Sequence, residues 1–421
     1  MTLLGCIADD FTGGTDVAAA LRRSGLSVLL LLGLPDDALA PPETDAVVIA
    51  LKTRTVPAGD AVAETLVAHQ WLAARGVERI YFKYCSTFDS TDRGNIGPVT
   101  DALLSALGAT STLICPASPE HGRTTYRGHL FVGDQLLSDS PMRHHPLTPM
   151  TDSNLVAVLG RQTDGRVDLL DLTTVRSGEE AVAARLKDLD SAGVRHVVVD
   201  ATETDDLLTV AKAAITRHLT TGGAGLAGAL GAVLAQGTSP VEGDPVADLD
   251  LPPGPGVILA GSCSRATLGQ VAHARAHFAS YRLDPVATPD PADMRAAATN
   301  WLLEHWGSGP VIVYSSALPD EQAAARLAMG PETPHLLEAT LGALAGLAVE
   351  QGAARIVVAG GETSGAVVQA LGVRSVVVLG EADIGVPWCL PTETPGPALL
   401  LKSGNFGTED LLVRAMQGVS A

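Results

Sequence analysis

Apolar runs of strand length alternate with longer helix-patterned stretches through most of the 421 residues, and this alternation restricts the fold more than any other feature. In the first half the runs fall at 3–8, 28–32, 46–51, 79–82, 112–115, 167–170 and 194–199. Strands separated by helices pair in parallel, and runs that are apolar throughout belong to strands covered on both faces. A stretch at 237–256, GTSPVEGDPVADLDLPPGPG, is rich in Pro, Gly and Asp and follows neither a period of 2 nor one of 3.6. It reads as a linker. Beyond it the alternation resumes at 257–260, 311–314, 356–359, 375–379 and 398–401. The expected fold class is α/β with two domains, residues 1–238 and 257–421 joined by a linker at 239–256. Each should be a mostly parallel sheet flanked by helices, with the active site in the interdomain cleft.

Composition narrows the function. Apolar residues make up 46% of the chain but aromatics only 4%, so both cores must be built from Ala, Val and Leu. A formal charge of -19 argues against a nucleic-acid or anionic-membrane partner, since either needs a basic face. An anionic ligand must then be held by a few placed cations. Cys6, Cys85, Cys115, Cys263 and Cys389 are odd in number and widely spaced, which suits neither a zinc site nor a disulfide framework. The longest apolar stretch is far too short to span a bilayer and no basic leader precedes it, so a cytoplasmic protein is expected.

Residues 7–16, IADDFTGGTD, put two adjacent carboxylates where a strand stops and a small-residue helix begins. Ligands of parallel sheets collect at such strand ends. Asp9 and Asp10 are therefore candidate acceptors of a hydroxyl proton or contacts for a magnesium ion, the alternative being a helix N-cap or an Asx turn. Only five of the 28 basic residues are lysines, and Lys52, Lys83 and Lys402 each directly follow a predicted strand. After Lys83 runs YCSTFDSTDRGN, whose Ser86, Asp89, Ser90, Arg93 and Asn95 could hydrogen-bond a polyhydroxylated acid. Lys83 and Arg93, with Arg54, are expected to hold a carboxylate, and Asp89 is a reserve proton acceptor. Residues 122–149 read as a hairpin with an excursion, a kind of segment that is often functional. Within it His144 and His145 are adjacent and point apart, so a shared metal is not expected; His145 is assigned to the substrate.

Three small-residue loops follow strands in the second half: GSCS at 261–264, GGETS at 360–364 and KSGNFG at 402–407. Gly360 and Gly361 permit close backbone approach, and helix-start amides, helped by the Thr363 and Ser364 hydroxyls, can hold phosphate. Together the loops outline a nucleotide-sized cradle. A Walker A sequence is absent. GGAGLAG at 222–228 matches GxGxxG through Gly223, Gly225 and Gly228, but the residues before it read as helix, so the strand required for dinucleotide binding is not expected.

In order, IADDFTGGTD, YFKYCSTFDSTDRGNIGPV, FVGDQLLSDSPMRHHPLTPMTD, AGSCSRAT, VVAGGETSGAV and LKSGNFG span nearly the whole chain. In these motifs the chain resembles the four-carbon acid sugar kinase family, most closely the branch acting on 3-oxo-tetronate (3-dehydrotetronate). The resemblance implies a sugar-acid-binding first domain and an ATP-binding second domain. It also implies transfer of a phosphoryl group to the terminal C4 hydroxyl, with threonate or erythronate as the runner-up acceptor. It assigns the IADDFTG and STFDSTDRGN segments to the substrate, and Ser262, Ser264, Gly360, Gly361, Glu362, Thr363 and Gly404 to ATP; Ser364 and Asn405 adjoin these positions. Magnesium is expected on the nucleotide, with no protein ligand assigned. Ala224 and His121 depart from the family pattern. A nicotinamide-dependent hydroxy-acid dehydrogenase, resting on GGAGLAG alone, and a non-catalytic sugar-acid sensor are the competing classes. The expected partners are small molecules, with a homodimer as one option.

Overall fold

The structure is a computed structural model describing residues 2–36, 39, 43–145, 147–236, 251–392 and 396–417. The chain divides into two compact units, Met1–Glu242 and Gly243–Ala421. Most of the expected linker lies outside the described residues.

In the first unit the strands are β1 (Leu4–Ala8), β2 (Val28–Leu32), β3 (Ala46–Ala50), β4 (Ile80–Lys83), β5 (Thr112–Cys115), β6 (Arg123–Tyr126), β7 (His129–Val132), β8 (Gln135–Leu136), β9 (Arg166–Leu170), β10 (Val194–Val199) and β11 (Leu219–Gly222). Eight of them form a wholly parallel array in the order β2-β3-β1-β4-β11-β5-β10-β9. β1 through β5 are buried along their whole length, as continuous apolar strands covered on both faces should be. The expected hairpin with an excursion is a separate antiparallel sheet, β6-β7-β8, followed by short 3-10 turns.

The second unit contains β12 (Gly256–Ala260), β13 (Ala279–Arg282), β14 (Val311–Tyr314), β15 (Arg355–Ala359), β16 (Ser375–Asp383), β17 (Val386–Pro391) and β18 (Ala398–Lys402). The order is β13-β14-β12-β15-β18-β17-β16, parallel except for the antiparallel β16–β17 and β17–β18 pairs. Ile258, Val357, Leu400 and Trp388 anchor its core.

One expectation is corrected. The residues before GGAGLAG are not all helical: β11 leads through Gly223 into the helix Ala224–Ala235, so a strand-turn-helix is present there. The glycines serve packing. A Cβ on Gly222 would lie 2.1 Å from the Cys115 carbonyl oxygen, one on Gly223 2.6 Å from that of Pro116, and one on Gly225 2.7 Å from that of Ala117. The backbone that approaches them is the segment leaving β5.

Candidate active site

β1 ends at Ala8, and the helix Phe11–Arg23 opens immediately after Asp10. Asp10 is its N-cap: Oδ1 accepts from the Gly13 amide at 2.8 Å, and the Thr12 hydroxyl donates to Oδ2 at 2.8 Å. Gly14 lets the helix lie on β3, because a Cβ there would fall 2.4 Å from the Ala50 Cβ. Gly13 likewise leaves room for function, since its Cβ would meet Asp10 Oδ1 at 2.3 Å and Lys83 Nζ at 3.2 Å.

The Asp9 carbonyl accepts the amides of Thr53 and Arg54 at 2.9 and 3.1 Å, which brings the segment after β3 over the acid corner. Arg54 then clamps both carboxylates. Nε and Nη2 donate to Asp9 Oδ2 and Oδ1 at 3.0 and 2.7 Å, while Nη1 and Nη2 donate to Asp10 Oδ2 and Oδ1 at 3.0 and 2.6 Å. The guanidinium expected to hold a substrate carboxylate is thus committed to the protein's own acids. Each Asp10 oxygen already accepts two hydrogen bonds; each Asp9 oxygen accepts one.

Their proton affinities diverge accordingly. Burial is the largest influence on Asp9 and leaves its carboxyl above the ordinary range despite the Arg54 charge and hydrogen bonds. Burial also pushes Asp10 up, but Arg54, Lys83, Thr12 and Gly13 together outweigh it and hold that carboxyl below the ordinary range. Asp9, 3% exposed, therefore has both the spare lone pairs and the proton affinity of a base.

Lys83 closes the corner from β4. It is 2% exposed, donates to the Tyr84 carbonyl at 3.0 Å, and faces Asp16 Oδ2 at 3.8 Å. Asp16 carries no local signal of this role, since only the helical turn and β4 bring it to Lys83. Burial raises its pKa as well.

The loop after β4 holds two consecutive non-glycine residues in the left-handed region, Phe88 at φ 67° and Asp89 at φ 40°. Such a conformation costs roughly 1–3 kcal/mol per residue and persists only where its surroundings enforce it. Here the Phe88 ring packs edge-on against Tyr84 at 5.6 Å, and the Thr87 hydroxyl donates to Asp89 Oδ1 at 2.7 Å. Ser90 Oγ accepts from Gln162 Nε2 at 2.9 Å, and Ser86 is half-buried beside them. Arg93 is exposed and, with Ser90, borders a cavity shared with Pro149, Met150 and Thr151 of the excursion. Two expected ligands have other duties. Asn95 Nδ2 donates to the carbonyls of Thr53, Arg54 and Val56 at 2.6, 3.2 and 3.4 Å, tying down the segment that carries Arg54. His145 Nδ1 accepts from the amide and hydroxyl of Thr148 at 3.1 and 2.9 Å, so it closes a local turn.

In the second unit the three glycine-containing loops do converge, because the strands they follow, β12, β15 and β18, lie side by side. The Ser262 amide donates to Ala359 O at 3.0 Å, and Gly360 N to Lys402 O at 3.0 Å. Ser264 caps the helix Arg265–Arg275 and its hydroxyl donates to the Gly404 carbonyl, which also accepts from Thr267 Oγ1 at 2.8 Å. A Cβ on Gly261 would lie 2.1 Å from Thr363 Oγ1, and one on Gly404 2.5 Å from Ser262 Oγ. Gly360, at φ 135°, caps the helix Gly361–Ala370, whose first amides lack partners within the helix. Buried Ser364 Oγ has no hydrogen-bond partner. Glu362 and Asn405 stand exposed at the rim.

Lys402 lies beneath this cradle with no exposed surface, donating to Thr267 Oγ1, Ser403 O and Gly404 O at 3.0, 2.8 and 3.0 Å. All three partners are uncharged. Burial pulls its pKa down from 10.5 to about 7.

No described helix is long and apolar enough to cross a membrane. Residues 4–230 match a family model described as a sugar-binding N-terminal domain, and residues 257–412 one described as a nucleotide-binding C-terminal domain. The chain is 47% identical over 418 residues to the 3-oxo-tetronate kinase of Burkholderia multivorans, covering 99% of this chain and 97% of that protein. It is 48% identical over 420 residues to the protein of the same name from Cupriavidus necator, covering 99% and 96%. A solved structure from Salmonella typhimurium LT2 superposes with a TM-score of 0.91 at 40% identity over 100% of both chains. Haemophilus influenzae protein HI1011 superposes with a TM-score of 0.80 at 39% identity over 98% of both. The chain belongs to the four-carbon acid sugar kinase family.

Proposed function

We propose that this chain transfers the γ-phosphoryl group of ATP to the C4 hydroxyl of 3-oxo-tetronate, giving 3-oxo-tetronate 4-phosphate and ADP. The observation that carries this reading is the match, at 46–48% identity over nearly the whole chain, to proteins named 3-oxo-tetronate kinase.

Phosphoryl transfer asks a protein for placement and charge compensation more than for covalent chemistry. In this reading the first unit binds the acid: Lys83 and Arg93 meet its carboxylate, and Ser86 and Ser90 meet its oxygens. Asp9 accepts the C4 hydroxyl proton, with Asp89 in reserve. Arg54 is a positioning residue that fixes Asp9 and tempers its proton affinity, and Asn95 holds Arg54 in place. Asp10 caps the helix and balances the arginine's charge.

The second unit binds the nucleotide. Amides at the start of the helix Gly361–Ala370 and the hydroxyls of Ser262, Thr363 and Ser364 suit phosphate oxygens, and the free Ser364 hydroxyl fits an incoming acceptor. Among the described residues no three His, Cys, Asp or Glu side chains gather to hold a metal, so the phosphates are read as the ligands of magnesium. Magnesium supplies charge neutralisation on the phosphate oxygens.

Measuring ADP release with each four-carbon acid in its 3-hydroxy and 3-oxo forms tests the reading. The largest kcat/KM is expected for 3-oxo-tetronate. A higher value for threonate or erythronate moves the substrate assignment, and no ADP release with any of the acids overturns the kinase reading.

A further inference from the structure

We propose that Gln162 is a positioning residue for the acid-binding pocket of the first unit, its one side-chain amide holding the strained loop after β4 in the shape that presents Ser90 and Arg93 to the substrate. The inference rests on the reading that this loop binds the sugar acid, and it adds what keeps the loop competent to do so.

Gln162 lies outside every motif of the sequence, 65 to 72 positions from the groups it meets. Its Nε2 donates to Ser90 Oγ at 2.9 Å and to the Thr91 carbonyl at 2.6 Å, and its Oε1 accepts from the Gly97 amide at 2.9 Å. Only this orientation of the amide works, because a main-chain carbonyl needs a donor and a main-chain N–H an acceptor. One side chain thus ties both ends of the stretch 90–97, which carries Arg93 and Asn95. Two glycines leave room for it. A Cβ on Gly97 would lie 2.7 Å from Gln162 Cβ, and one on Gly94 2.9 Å from Gln162 Nε2.

The need for a tether is visible in the backbone. Phe88 and Asp89, at φ 67° and 40°, lead into Ser90 in a conformation that persists only where the surroundings enforce it. The Ser90 amide has only a thioether to meet, Met150 Sδ at 3.3 Å, which is a weak acceptor. Arg161 bridges Asp92 and Asp152 at 2.6 and 2.8 Å, but these side chains are 39–63% exposed, where ion pairs contribute little. Gln162 is half-buried and itself fixed. Its own amide donates to the Leu159 carbonyl at 2.8 Å, at the end of the helix Leu155–Gly160, and the Leu155 amide docks that helix on the Gly128 carbonyl at 2.8 Å.

The result is a cavity with one uncommitted cation. Ser90, Thr91, Arg93, Met150 and Thr151 border it; Asp92 and Asp152 at its edge are occupied by Arg161, whereas Arg93 meets no carboxylate among the described residues. A shift of the loop by about an ångström would carry that charge and the Ser90 hydroxyl away from a bound acid. Asp9 stands on a different strand end, and the glycine loops of the second unit belong to other strands.

Steady-state kinetics of the full chain, with four-carbon acid and ATP varied in turn, tests the assignment. Gln162→Met keeps the length of the side chain and removes its donors and acceptor; it is expected to raise KM for the acid roughly tenfold or more, with KM for ATP and kcat changed by less than about threefold. Gln162→Glu keeps an acceptor for Gly97 but turns an oxygen toward the Thr91 carbonyl, and the same rise in acid KM is expected. Arg161→Ala breaks only the exposed pairs and should stay within about twofold of the original. Because Gln162 acts on the acid partly through Ser90, Ser90→Ala combined with Gln162→Met should cost less than the product of the two single effects. An unchanged acid KM in either Gln162 variant, an equal rise in Arg161→Ala, or a matching loss in kcat and in both KM values overturns the proposal. If the unaltered chain releases ADP with none of the acids, the substrate reading itself fails before any variant is compared, and this assignment with it.

Discussion

The guanidinium of Arg54 meets the carboxylate of Asp9 through two hydrogen bonds, at 3.0 Å from Nε and 2.7 Å from Nη2. It lowers the proton affinity that burial raises, so the two effects set the pH at which Asp9 can act as a base. A base works only when deprotonated, so the rate falls as pH falls through its pKa. The acid limb of kcat/KM should lie above the ordinary aspartate value of 3.8. Arg54→Gln removes the lowering influence and leaves burial in place, which should move that limb to higher pH. A pH–rate profile with an unmoved limb separates Asp9 from proton transfer.

Replacing each aspartate by its amide distinguishes the pair. Asp9→Asn should lose about 10²–10⁴ in kcat, the usual contribution of a general base. Asp10→Asn retains a good N-cap, since Asn caps a helix as well as Asp does. It should keep turnover roughly tenfold or more above Asp9→Asn. Equal turnover in the two variants refutes the division of labour.

Gly261→Ala probes the cradle without adding charge. The new methyl would lie 2.1 Å from Thr363 Oγ1, so the first and second loops must separate. Calorimetric titration should show ATP affinity reduced by roughly tenfold or more and acid affinity in the first unit unchanged. Loss of both affinities would indicate general unfolding, which a thermal melt of the variant detects.

Much of this was readable in advance, for physical reasons. Parallel strands buried on both faces announce themselves as unbroken apolar runs, and nearly every expected run is a strand within a residue or two. β11 escaped because LTTG is polar and short. Thr221 is tolerated inside because it is satisfied: its Oγ1 donates to Leu113 O at 2.7 Å and also pairs with Tyr84 Oη at 3.0 Å. β17 escaped because Pro387 and Pro391 interrupt its run. At the site, the acids and glycine loops were visible as motifs, whereas partners distant in sequence were not. Arg54 reaches Asp10 across 44 positions, and nothing local to either residue signals that pairing. The same holds for Asn95, whose three carbonyl partners lie 39 to 42 positions away.

Lys402 gives a stability prediction whose sign is fixed by its surroundings. Its pKa is about 7 when folded and 10.5 when free. Between those values the unfolded chain binds more protons, so this residue makes stability rise with pH through that window. Below it, the penalty of a buried charge is fully present. Lys402→Met should flatten that part of the melting-temperature profile. A variant whose profile runs parallel to the original across the window would show that the lysine is solvated or paired in a way the buried geometry does not allow.

Only Asp9 and Asp10 separate β1 from the helix Phe11–Arg23, and Asp10 caps that helix while Gly14 seats it on β3. The acid corner is thereby fixed by a buried strand on one side and a capped helix on the other. The turn after β4 cannot be rewritten independently of that corner, because it carries Asp89 and leads to Asn95, whose amide holds the segment bearing Arg54.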